Sequence, residues 1–308
     1  MTADRRSYSA GHFELAIDGH TSTAYLKSVE GGFVKGALVE EPIGPDNKRI
    51  KHLGTVDIEP MSIEFSLAGA KDILKWIADS WNMEWNRRSG QLTHANFDLK
   101  TTFEHQFYEA LIAETTFPTL DGSSKDAAYL KLKIQPESVV TSKSSSGSSL
   151  KSAMGEKHQT WAPSAFRFTI DGVDDMHYAN KIDGFTIKQG IKKHYSGEER
   201  FPQIEPTKIE FPNITGTIAL EYAGGVLKWY EDYIMRGKKD PTQQKTGAIE
   251  FLTPDRKTTI FRINLKEVGI LHASIEPSKA NAESIKRVKF EMYVGHMELA
   301  GPQSGFES

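Results

Sequence analysis

The sequence predicts a mainly β protein with one helix per domain, an α+β pattern repeated as two tandem β-barrel domains. Three observations predict this. The stretch FELAIDG, Phe13 to Gly19, returns as FRFTIDG, Phe166 to Gly172, with Asp18 and Asp171 set 153 residues apart. The triplet LKW ending at Trp76 returns ending at Trp229, again 153 residues on. Between the copies lies TSKSSSGSSLKSAMGEKHQTWAP, Thr141 to Pro163, whose Ser/Gly content reads as a solvated linker. Short matches in the same order at a near-constant offset are the mark of an internal duplication. The expected domains are therefore residues 1–140 and 164–308, joined by a linker over 141–163.

Each element can be justified in chain order. The strand before each Asp-Gly alternates apolar and polar residues, as a half-buried strand does, and Asp-Gly suits the turn that follows. Gly32-Phe33 and Gly184-Phe185 each open a second strand, at an offset of 152. These strands run into polar tips and return as TVDIEPMSIEFSL and TKIEFPNITGTIALEY. Two long hairpins are expected. Next comes a helix in each copy. Ile73, Trp76, Ile77, Trp81 and Trp85 in the first, and Val226, Trp229, Tyr230, Tyr233 and Ile234 in the second, follow three- and four-residue spacings. Such an aromatic stripe belongs to a helix packing on a sheet. ANFDL from Ala95 and AIEFL from Ala248 place a further strand at 153, while Pro118 and Pro277 stand 159 apart, so a short insertion is expected between these points. YLKLKIQPESV and VKFEMYVGHMEL close the copies as alternating strands.

Composition narrows the function. The 308 residues carry a formal charge of −3 and no cysteine. A polybasic nucleic-acid surface, a disulfide framework, a thiolate nucleophile and a cysteine zinc site are thereby disfavoured. The opening residues lack the apolar run of a secretory signal and no long apolar run follows, so synthesis in the cytoplasm and no membrane partner are expected. None of the 10 histidines falls in a metal-binding spacing; His94 and His105 are the nearest pair worth naming. No phosphate-binding glycine loop or nucleophile elbow occurs. The expectation is no enzyme, no catalytic residue, no metal and no cofactor.

The order of these elements carries a resemblance. IDGFTIKQGIKKHYSGEE, EPTKIEF and LKWYEDYI in the second copy, more faintly echoed by EGGFVKGALVEE and LAGAKDILKWIADSW in the first, resemble the phage tail tube protein family. That family includes contractile phage tails and contractile injection systems, and the pattern is similar to the type VI secretion tube protein. The resemblance implies a structural protein that forms a homo-oligomeric ring or a tube segment enclosing a lumen for cargo or DNA. Other tube, baseplate or sheath proteins would be its partners. A family subunit carries one such domain and six form a ring, so two fused copies imply a trimer with pseudo-six-fold symmetry, favoured over a hexamer. Four strands per domain would give a barrel about 48 Å across, with neighbouring domains about 25 Å apart. A flexible linker of about 20 residues spans roughly that distance.

Inter-subunit contacts are expected at the hairpin tips: Glu40, Glu41, Lys48 and Arg49 in the first copy, and Lys192, Lys193, Glu198, Glu199 and Arg200 in the second. A baseplate or tail-terminating ring of the same apparatus is one alternative role. A monomeric two-barrel ligand-binding module is another.

Overall fold

The computed structural model describes residues 11–18, 20–21, 26–44, 46, 48–67, 70–143, 150, 161–277 and 285–300. Most of the expected linker, residues 144–149 and 151–160, lies outside them. The chain is mostly strand, with one helix in each half.

The first half begins with β1 (His12–Ile17), β2 (His20–Thr21) and β3 (Leu26–Gly31). The hairpin follows as β4 (Val34–Ile43) and β5 (Lys48–Ile58), and Glu59-Pro60 separates it from β6 (Met61–Phe65). Helix α1 (Lys71–Trp81) leads to β7 (Arg88–Ala95) and the long β8 (Thr101–Phe117). Short β9 (Leu120–Asp121), then β10 (Leu130–Gln135) and β11 (Ser138–Lys143), complete it. Asp18 does adopt the left-handed backbone expected of the turn, with φ of 50°.

The second half repeats the plan. It runs β12 (Phe166–Ile170), β13 (Ala179–Ile182), β14 (Phe185–His194), β15 (Gln203–Glu210) and β16 (Ile214–Ala219). Helix α2 (Gly224–Tyr230) continues into a single π-helical turn, Glu231–Met235. Then come β17 (Lys245–Leu252), β18 (Thr259–Ile275) and β19 (Arg287–Ala300).

The ladders show how closely the halves correspond. In the first, the order is β1-β7-β8-β10-β6-β3; in the second it is β12-β17-β18-β19-β16-β13. Both sheets are antiparallel; α2 packs on β18 of its own half, whereas α1 packs mainly on β19 of the other half and less on β8. Among the described residues no ladder joins β1 to β3 or β12 to β13, so each sheet is a curled barrel left incompletely closed, within the closed or nearly closed form expected.

The ladder registers also correct the repeat. Gly36 and Gln189 occupy the same bulge position, because 36/38 face 56/53 as 189/191 face 209/206. The hairpins therefore align at 153, and the Gly-Phe match at 152 is one residue out of register. Gly90 and Gly247 take the same place in β7 and β17, an offset of 157. The ANFDL match at 153 is thus four residues out. The extra residues of the second half fall between the end of its helix and β17, before the point that match had suggested. Strands β8 and β18, 17 residues each, align at 158, with Glu109 and Glu267 sharing a left-handed backbone at φ 50° and 56°. Pro118 and Pro277 miss that register by one.

The helices bury the expected side chains with few exceptions. Ile73, Trp76, Ile77, Trp81, Val226, Trp229 and Tyr233 are buried and Tyr230 is half-buried. Trp85 lies beyond α1, which ends at Trp81; Met83 at φ 63° turns the chain away. Ile234 is exposed: it sits in the π-helical turn, where a wider winding shifts side chains off the α-helical stripe.

Candidate functional site

The two halves meet through strand ladders and apolar packing. Strand β14 of the second half pairs antiparallel with β8 of the first, Phe185 opposite Phe117, Thr186 opposite Thr116, Ile187 opposite Thr115 and Lys188 opposite Glu114. The hairpin of one repeat thereby becomes a strand of the other repeat's sheet. In exchange, β9 from the first half pairs with β13, Lys181 opposite Asp121.

Apolar side chains fill this seam. Phe117 is fully buried, stacked on Phe185 at 5.0 Å between ring centroids and 5.7 Å from Phe251. Trp81 meets Phe117 at 6.0 Å and Phe211, just past the second hairpin, at 6.4 Å. Trp161, placed by sequence in the linker, is instead buried against Phe251 at 5.3 Å, and its carbonyl accepts the Ala128 backbone N–H. The last residues of the expected linker are therefore core. At its other end, β11 runs on to Lys143, past the expected boundary at 140.

Polar groups fix the register. The hydroxyls of Thr116 and Thr186 stand 2.9 Å apart. The buried Gln189 amide donates to the Ser80 carbonyl at 3.3 Å and to the Ser80 hydroxyl. Lys193 Nζ reaches Asp57 at 2.5 Å, and Arg87 donates to the Ile204 carbonyl at 2.5 Å. At the β9–β13 joint, the Ser123 hydroxyl and N–H hold the Asp121 carboxyl below its ordinary range, with Lys181 adding to the effect. Lys181 is raised, chiefly by its hydrogen bond to Asp183.

The expected tip residues separate into two groups. Glu40 binds Arg49 at 3.2 Å and Lys51 at 2.9 Å, so its charge is spent within its own hairpin; Glu41 lies 4.0 Å from His52, and Lys48 faces Ile43. Lys192 faces Glu205 on β15, Glu199 accepts from Gln203 at 3.1 Å, and Glu198 and Arg200 are exposed in the turn between β14 and β15. Lys193 bridges the halves, through Asp57. Phe117, Gln189 and Trp161 were not singled out from sequence. Strand alternation assigns a face but not a partner strand, and a single tryptophan in polar text has no periodic neighbours.

His94 and His105 do lie near one another, separated by Phe103 at 5.5 and 6.2 Å. Burial lowers both imidazoles, and His105 lowers His94 further. Among the described residues, no cluster of three His, Asp or Glu side chains is set to hold a metal. An open cleft of about 510 Å³ beside β9 is lined by Lys27, Glu64, Asp121 and Tyr129 among others.

Each half thus carries a curled antiparallel sheet, one helix and a hairpin, and the two halves are joined strand to strand. Residues 9–140 match the family model described as T4-like virus tail tube protein gp19. That is the family whose resemblance the sequence carries, although the match falls on the half with the fainter motif. No curated protein matches the chain. Solved structures similar to it include a chain of the sheath–tube complex of an extracellular contractile injection system, PVC, in its extended state. It has 14% identity and a TM-score of 0.41 over 46% of this chain and 95% of that one. A chain of the sheath/tube terminator of that system has 15% identity and a TM-score of 0.40 over 46% and 99%. Hcp1 from Flavobacterium johnsoniae has 13% identity and a TM-score of 0.27 over 44% and 95%. No helix among the described residues is long and apolar enough to cross a membrane.

Proposed function

We propose that this chain is a structural ring or tube component of a phage tail or contractile injection particle, supplying two adjacent positions of a ring. Three chains then make a pseudo-six-fold ring around a lumen. The observation that carries this reading is the β14–β8 ladder. It sets the repeats side by side through backbone hydrogen bonds, as staves of one wall. Two repeats connected only by their linker could equally stack or hang apart. The tail tube match over residues 9–140 supports the same role, with tube, baseplate or sheath proteins as neighbours rather than a substrate.

Light scattering behind a sizing column, followed by electron-microscope class averages of the same peak, tests this. Particles of three chains with an open centre are expected. Six chains per ring would keep the ring and reject the trimer. A compact monomer at every concentration would overturn the reading.

A further inference from the structure

The internal seam has a counterpart that is half empty. Strand β8 uses one edge for β10 and β11 and the other for β7 and then β14, whose contact covers Glu114 to Phe117. Its equivalent, β18, is paired by β19 along one edge, while β17 covers the other only from Thr259 to Val268. From Gly269 to Ile275 that second edge has no strand partner among the described residues. Ile275 is 57% exposed where its counterpart Phe117 is fully buried, and Leu271 is exposed beside it. Ile234 and Met235 are exposed on the same half, where the first half has Trp81 buried against Phe211, just past the incoming hairpin.

The complementary piece is also unused. The β4–β5 hairpin stands as a separate two-stranded sheet with no other strand partner among the described residues. It shares its bulge with β14–β15, which is fully engaged. Phe33, Val34, Leu38 and Leu53 are exposed, whereas Ile187, the equivalent of Val34, is fully buried. A free strand edge and a free apolar hairpin each invite pairing with another chain.

We propose that β4 of one chain adds to the free edge of β18 in a second copy, reproducing the internal seam between molecules. The two alignments fix the register: Val34 opposite Ala273, Phe33 opposite Ser274 and Lys35 opposite His272 of the next chain. The join is head to tail, so each chain gives one hairpin and receives one, the arrangement that builds rings. The proposal rests on the ring reading and adds the surface through which the ring is made.

The chain contains no cysteine, so a disulfide trap is clean. Val34→Cys and Ala273→Cys are prepared on separate chains, mixed, and oxidised mildly. The expected result is a covalent dimer from the mixture and from neither variant alone. Both substitutions on one chain should give covalent trimers. As the register control, Val34→Cys is mixed with Leu271→Cys, and should link at least ten-fold more slowly. Equal rates for the two pairs, in a sample whose micrographs show rings, would overturn this seam while leaving the ring reading intact. Absence of any ring or oligomer would overturn that reading and the seam with it. A second variant, Val34→Glu with Ile275→Glu, should abolish assembly without shifting the melting temperature of the dissociated chain. Normal assembly by that variant would also overturn the seam.

Discussion

At the scale of single residues, equivalent positions have opposite surroundings. Phe117 and Ile275 hold the same place in β8 and β18, yet one is enclosed by aromatic rings and the other faces water. Phe117→Ala should destabilise the dissociated chain by about 3–5 kcal/mol, as deletion of a buried aromatic does. Ile275→Ala should stay within about 0.5 kcal/mol there. Denaturant melts of the two variants check this, and similar losses would refute the contrast. The His94 and His105 pair sets a pH dependence. Burial lowers both folded-state pKa values below the ordinary 6.5, so the unfolded chain takes up protons at higher pH than the folded one. Stability is therefore complete above about 6.5 and falls as the pH drops through that value. Melting temperatures at pH 7.5 and 5.5 should show the decline, and His94→Gln with His105→Gln should flatten it. An unchanged slope in that double variant would show that other groups are responsible.

At the scale of elements, the two hairpins differ in engagement rather than in build. Strand β14 is held on β15 and on β8, whereas among the described residues β5 is the only strand that pairs with β4. Amides of β14 should exchange slowly in both dissociated and assembled protein. Those of β4 should exchange quickly in the dissociated chain and become protected on assembly; equal protection in both states would contradict this. The hairpins themselves were legible in the sequence, because alternation and polar tips mark strands and turns locally. Their partners were not, since pairing between residues as far apart as Phe185 and Phe117 leaves no local trace. The helices were read from Trp76 and Trp229, whose spacing is periodic. The loss of Ile234 from the buried stripe was not, because the π-helical turn changes the winding without a distinctive residue. The extra residues before β17 were placed too late for a related reason: a short chance match, AIEFL, hid the true register of Gly247.

At the scale of the whole molecule, the chain is two repeats that share a core. Trp161 enters that core from text that reads as linker, and Phe117 reaches Phe251 across the boundary. Duplication is legible in several short matches at a near-constant offset, Asp18 with Asp171 and Trp76 with Trp229 among them, but the mutual burial is not, because composition cannot say which of two sheets a phenylalanine will enter. This union predicts how a cut chain behaves. A protease site introduced into the serine-glycine stretch and cleaved in the folded protein should leave two fragments that elute together. Their separation should require denaturant. Fragments that part in plain buffer would show that covalent linkage, rather than the seam, holds the halves together.

The internal ladder between β14 and β8 also has a kinetic meaning. Its two strands belong to one polymer, so they meet at an effective concentration set by the connecting chain and independent of how much protein the cell has made. A seam between chains must instead wait for diffusional encounter and forfeits the freedom of two independently tumbling bodies. In the proposed ring, half the joints are therefore completed during folding and three encounters replace six. The assembly rate should then vary less steeply with dilution than it would for single repeats, and the alternation of the two kinds of repeat around the ring is fixed before any subunit meets another.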